Sequence, residues 1–344
     1  MSKFIKYIHT IPVGTAEGLV AQAYSQIKRE MAGVPEPFLI HSPSPTLLAG
    51  VWSMFRESLV AGQVRRGLKE VAAATISQIN QCPWCVEAHT LALHATGDHA
   101  AARVLLNGKD SGKPNSETQA IIEWAAMTRQ PGAAILEQPP FSAEDAPEFI
   151  GTAVAFHYLN RIVNVLLPET PLPLTPLLKS AARRTLGWLF TPWTRRAHPS
   201  GESLPLLPEA DLPADLGWAE PNLAVAGAFA RFAAVVERAG ASALSPTVRD
   251  IVYHHVQAWT GEDPGLSRKW VEQAIRGHDE ATQAVARLAL LTALASHQVD
   301  EEVVQMFRIH HPSDGALVGA LAWASFTAAR RIGAWLWNPV QVEG

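Results

Sequence analysis

Cysteine is almost absent from this 344-residue chain; there are two, Cys82 and Cys85, and both lie in one stretch, INQCPWCVEAH, residues 79–89. That is too few for the disulfide framework of a secreted protein, and a C-x-x-C pair in a reducing compartment points to redox chemistry or metal. Charge of one sign is also scarce. A net charge of −4 offers none of the basic footprint that nucleic-acid binding needs. Long hydrophobic runs are missing: with no uncharged apolar stretch of about 18 residues, no membrane span is expected. MSKFIKYIHTIP, at the start, lacks the continuous apolar segment of a signal peptide. The expected location is therefore cytoplasmic, by default. The glycines never fall as G-x-G-x-x-G or as a P-loop, so no nicotinamide, flavin or other cofactor is expected.

Apolar residues, by contrast, make up 48% of the chain and charged ones 17%, enough to fill the cores of two domains. Their spacing is helical almost throughout. Residues 16–32 put Leu19, Val20, Ala23, Tyr24, Ile27 and Met31 on one stripe, and residues 64–79 repeat the pattern. Similar segments lie at about 83–96, 117–129, 145–167, 222–238, 246–260, 267–276, 280–296, 300–309 and 314–337. No β-branched alternation competes with them, so the expected fold is an all-α helical bundle.

The texture changes between residues 168 and 221, where PETPLPLTP and HPSGESLPLLPEADLPADLGWAEP are too rich in proline for long helices. Between them sits a basic amphipathic piece, LLKSAARRTLGWLFTPWTRR, with Lys179, Arg183 and Arg184. It reads either as a docking helix or, more plainly, as a connector with its charges in solvent. On its two sides the chain repeats itself weakly. LKEVAAATI (68–76) pairs with VRDIVYHHV (248–256), ETQAIIEWAAM (117–127) with ATQAVARLALL (281–291), and LNRIVNVLL (159–167) with ARRIGAWLW (329–337). The common order predicts a degenerate duplication: a catalytic half at 1–167, a connector at 168–221, and a half at 222–344 that lacks the cysteines and takes the place of a second subunit. A homo-oligomer is left open.

The chemistry gathers at the cysteine pair. Pro83 suits the first position of a helix, which makes Cys82 the N-cap and puts Cys85 in the first turn. Free backbone N–H groups and the helix dipole there favour a thiolate. His89 follows Cys85 by one turn, on the same face, as a base beside a nucleophile. If the helices on either side of Asn80–Gln81 run antiparallel, Glu70 falls opposite residues 89–93 and can orient the imidazole. Singly, a surface glutamate, a packing histidine and two buried cysteines are ordinary; together they predict a Glu70–His89–Cys85 relay closed by Cys82. A zinc site built on Cys82, Cys85 and His89, with His94 or His99 as fourth ligand, is the metal alternative. A thioredoxin-like protein would need a strand before the motif, where LKEVAAATISQIN reads as helix.

Residues 69–93, KEVAAATISQINQCPWCVEAHTLAL, closely resemble the alkylhydroperoxidase D-like branch of the carboxymuconolactone decarboxylase superfamily. The shared signature is a glutamate followed, at the start of the next helix, by C-x-x-C-x-x-x-H. HSPSP (41–45) and FHYLNRIVNVLL (156–167) resemble longer members. The resemblance implies an all-helical, thiol-dependent peroxidase or disulfide reductase. Cys85 is then the peroxidatic thiolate, Cys82 the more exposed, partner-facing thiol, and Glu70 and His89 the proton relay. The implied partners are a small hydroperoxide or disulfide and an external dithiol. Some members carry a second histidine where this chain has Trp84, a side chain that relays no proton but suits an apolar substrate mouth. The runners-up are a lactone decarboxylase, which does not rely on a cysteine pair, and a non-catalytic helical scaffold.

Overall fold

The stripe over residues 16–32 becomes α1 (Gly18–Met31), with Val20, Ala23, Tyr24 and Ile27 turned inward. A single turn, α2 (Glu36–Leu39), leads to α3 (Pro45–Phe55), which runs on into a π-helical segment, Arg56–Val60. Then α4 (Arg66–Ile79) and α5 (Pro83–Thr96) form an antiparallel hairpin, and Gly97, at φ 95°, ends it. Next come α6 (His99–Asn107), α7 (Ser116–Met127), the short α8 (Ala134–Glu137) and α9 (Ala146–Leu166). Beyond the connector lie α10 (Leu223–Ala243), α11 (Pro246–Ala258), α12 (Lys269–Ala274), α13 (Glu280–Leu294), α14 (Glu301–His310) and α15 (Asp314–Trp335). Side-chain caps start many of them: Asn115, Asn222, Ser245, Asp279, Asp300 and Ser313 each accept a backbone N–H of the first turn.

This computed structural model describes every residue except 1–4, 109–111, 172–184, 186–188, 190 and 338–344. Among the described residues there is no strand, and the fold is all-α. None of their helices is long and apolar enough to cross a membrane. Lys179, Arg183, Arg184 and most of the basic piece around them lie outside the described residues.

At the centre is α9, in which every residue from Ala146 to Leu166 except Asn164 is buried. A helix apolar on all sides needs cover on all sides. Here α4 and α15 lie along it, α10 packs on α15, and α3 packs on α10. α4 touches α7 and α9, while α11 touches α13 and α15.

Two buried charge clusters fix the approach to the site. Arg56, in the π segment, donates to Glu30 at 2.8 Å, to Glu57 at 2.7 Å and to Glu202 at 3.0 Å. Glu57 in turn accepts the Gly201 N–H at 2.7 Å and the Ser203 hydroxyl at 2.6 Å, which clamps the connector onto the N-terminal half. Lys69 pairs with Glu148 at 2.6 Å, and Glu148 also takes the Gln63 N–H at 2.8 Å, fixing the turn that starts α4.

Candidate active site

The α4–α5 turn is tight. Ile79 ends α4, Gln81 adopts a left-handed φ of 51°, and the Cys82 N–H returns to the Ser77 carbonyl at 2.9 Å. Cys82 is the N-cap of α5 and Pro83 its first residue, as the sequence implies. The Cα atoms of Cys82 and Cys85 are 5.4 Å apart and their sulfurs are joined as a disulfide.

One turn on, His89 Nδ1 meets Glu70 Oε2 at 2.6 Å. The carboxylate can only accept, so Nδ1 carries the proton and Nε2 is left as the basic nitrogen. Phe156 of α9 sets its ring at 90° to the imidazole, with centroids 4.5 Å apart, and so fixes the ring plane. Burial pushes the Glu70 carboxyl up, but the hydrogen bond and charge of His89, with the Arg66 guanidinium, outweigh it and hold the group below its ordinary value. Arg66 Nε donates to Glu70 Oε1 at 3.1 Å from one turn earlier on α4. The hairpin thus brings Glu70, His89 and Cys85 to one place.

That place is the wall of a cavity of about 430 Å³. Cys85, His89, Glu70 and Arg66 line it, together with Trp84, Phe38, Phe55, Leu91 and Phe156. The lining is mostly hydrocarbon, as small-molecule sites commonly are. Cys82 faces elsewhere, onto a wider groove of about 670 Å³ lined also by Gln78, Gln81, Glu169, Thr170 and His297. The expectation of an exposed first cysteine needs correcting here. Cys82 is 1% exposed and Cys85 3%, because both side chains pack into the buried core cluster. The metal alternative gains nothing: His94 and His99 pair with each other at 2.9 Å, and no group of three His, Cys, Asp or Glu side chains among the described residues is arranged for a metal.

No family model matches the chain. Over 336 residues, 97% of this chain and 95% of the relative, it is 40% identical to a curated protein of Mycobacterium tuberculosis named alkyl hydroperoxide reductase. The chain belongs to the alkylhydroperoxidase D-like family. A solved structure from Ralstonia eutropha, an uncharacterised peroxidase-related protein described as an alkylhydroperoxidase AhpD core, matches 47% of this chain and 90% of its own, at 20% identity and a TM-score of 0.41. A likeness of that degree bears on neither the site nor its chemistry.

A second polar layer stands behind the cysteine turn, and motif reading does not reveal it. The Asn80 amide donates at 3.0 Å both to His157 Nδ1 and to Asn160 Oδ1. His157 Nε2 lies 3.0 Å from the Thr128 hydroxyl, and Asn160 donates to the Ser77 hydroxyl at 3.0 Å. Burial, with Arg161 and Arg129 nearby, keeps His157 well below its ordinary value, hence neutral and able to accept from Asn80. Arg129 adds a 2.9 Å bond to the Ile79 carbonyl. Arg66 is more legible, because R-x-x-x-E is a helix-pair spacing. The Asn80 partners come from α9, 77 and 80 residues away, where only tertiary structure joins them.

Proposed function

We propose that the chain is a thiol-dependent peroxidase that reduces organic hydroperoxides through Cys82 and Cys85. The observation that carries this reading is the pairing of buried Glu70 with the half-buried His89 on the same cavity wall as Cys85. In the reduced enzyme, His89 Nε2 takes the Cys85 proton, and Glu70 stabilises the resulting imidazolium. The thiolate attacks the terminal peroxide oxygen, the O–O bond breaks, and the leaving alkoxide takes the proton from His89 to depart as an alcohol. Cys85 is then a sulfenic acid. The Cys82 sulfur attacks it, water leaves, and the disulfide forms. An external dithiol supplies the two electrons that restore both thiols.

The aromatic and aliphatic wall favours a hydroperoxide with an apolar substituent, and Trp84 belongs to that wall. The name borne by the Mycobacterium tuberculosis relative supports the same substrate class. The C-terminal half, on this reading, stands in for a second subunit, with α15 laid along α9.

Serine substitutions test the assignment. Cys85→Ser should abolish hydroperoxide consumption. Cys82→Ser should still form one sulfenic acid per chain, trapped by dimedone, but should not turn over with a dithiol. Unchanged turnover in either variant removes that cysteine from the mechanism and returns the chain to the scaffold reading.

A further inference from the structure

We infer that His297, a residue of the C-terminal half, handles the proton when an external dithiol reduces the Cys82–Cys85 bond. The inference rests on the peroxidase reading and concerns its second half-reaction. The two cysteines open on different cavities, Cys85 on the apolar one and Cys82 on the groove. His89 lies on the wrong side to serve the groove, and its Nδ1 is already committed to Glu70. Among the described residues lining the groove, His297 is the one imidazole. It is exposed, and its ring makes no hydrogen bond with any of them.

Its position relative to Cys82 is fixed by bonds between the halves. The Asn164 amide donates at 3.1 Å both to the Asn80 carbonyl, two residues before Cys82, and to the Ser296 hydroxyl, one residue before His297. Gln81 reaches across to Asp263 at 2.8 Å. Gly261 packs so closely on the Arg129 carbonyl that a Cβ there would collide with it. The groove also presents the carboxylates Glu87, which accepts the Thr170 hydroxyl, and Glu169. On its other side His297 shares a small cavity with Arg129, Arg161 and Asp263.

Atoms and electrons balance in this half-reaction. His297 takes the proton of the first reductant thiol, and the thiolate attacks the Cys82 sulfur. The Cys82–Cys85 bond breaks, a mixed disulfide forms on Cys82, and Cys85 leaves as a thiolate; His297 releases its proton to solvent, and Cys85 takes one from solvent by way of His89 Nε2. His297 then takes the proton of the second reductant thiol, that thiolate displaces Cys82, and His297 hands the proton to Cys82 while the reductant departs as a cyclic disulfide. A histidine suits both transfers because it gives and accepts a proton near neutral pH.

The half-reactions can be measured separately on the full chain: oxidation of the reduced protein by cumene hydroperoxide, and reduction of the oxidised protein by dithiothreitol. His297→Gln should leave the oxidation rate within about twofold and slow reduction at pH 7 by at least about tenfold. The deficit should vanish near pH 9.5, where the reductant ionises unaided, and added imidazole should partly rescue His297→Ala at pH 7. Unchanged reduction at pH 7, or an equal loss in both half-reactions at every pH, would overturn the inference. Failure of the wild-type protein to be oxidised by hydroperoxide would instead sink the peroxidase reading. The reduction arm stays decisive even then, because diamide can form the disulfide.

Discussion

Three forces compete at one carboxylate. Burial disfavours a charged Glu70, while His89 and Arg66 favour it, and the pair wins. The sign matters for activity. Because the group titrates below its ordinary value of 4.5, the carboxylate is fully formed above that pH and is lost only as pH falls through the lowered value. Replacement by glutamine preserves the shape and removes the charge that supports a protonated imidazole. Glu70→Gln should therefore slow single-turnover oxidation of Cys85 by about a hundredfold at pH 7. It should also move the Cys85 thiol titration upward, towards about 8.5. Stopped-flow oxidation and alkylation rates against pH would check both; a variant as fast as wild type would show that the relay is idle.

The helices most visible in the sequence are those with one wet face. α1, α11 and α14 keep a polar side, so their stripes stand out, whereas α4 is buried at every position from 67 to 77. α6 is only His99–Asn107 and sits directly behind Gly97, too short to be noticed. The π segment is illegible for another reason: Arg56 and Glu57 look like surface residues by composition, yet they are buried against each other, which only tertiary contacts reveal. The same holds at the head of α4. There Glu148 neutralises buried Lys69 and also receives the Gln63 and Val64 N–H groups. Glu148→Gln leaves a buried cation without its counter-charge, a loss of about 3–5 kcal/mol in comparable cases. Chemical denaturation should show a drop of that order, and a change under about 1 kcal/mol would mean that Lys69 finds water instead.

On the scale of the whole chain, acid should loosen the fold through its buried imidazoles. His41 is fully buried, with Nδ1 on the Pro37 carbonyl at 2.7 Å and Nε2 on the Tyr158 hydroxyl at 2.9 Å. Burial lowers it to about 4 from 6.5. Above pH 6.5 neither state is charged there. Below it the unfolded chain binds a proton that the folded chain refuses, so stability falls until about pH 4, by about 3 kcal/mol in all. His157 adds a fall of the same sign. Urea unfolding at pH 7 and pH 5 should show the loss, and His41→Gln, though less stable at pH 7, should show a shallower one. Equal slopes would exclude His41 as a source. At this scale the sequence spoke least clearly about the site. Glu70, Cys82, Cys85 and His89 lie within 20 residues and announce themselves by spacing. Asn80, Asn160 and His157 carry no local pattern at all, and neither does His297 beside Cys82.

The disulfide sits in a partition with an opening on either side. A chain with one shared mouth must expel its alcohol product before the reductant can enter, and excess reductant then blocks the oxidant. On the proposed peroxidase reading, with Cys85 opening on one cavity and Cys82 on the other, both visitors can be aboard at once. The order of events is imposed by electron flow rather than by crowding at a doorway.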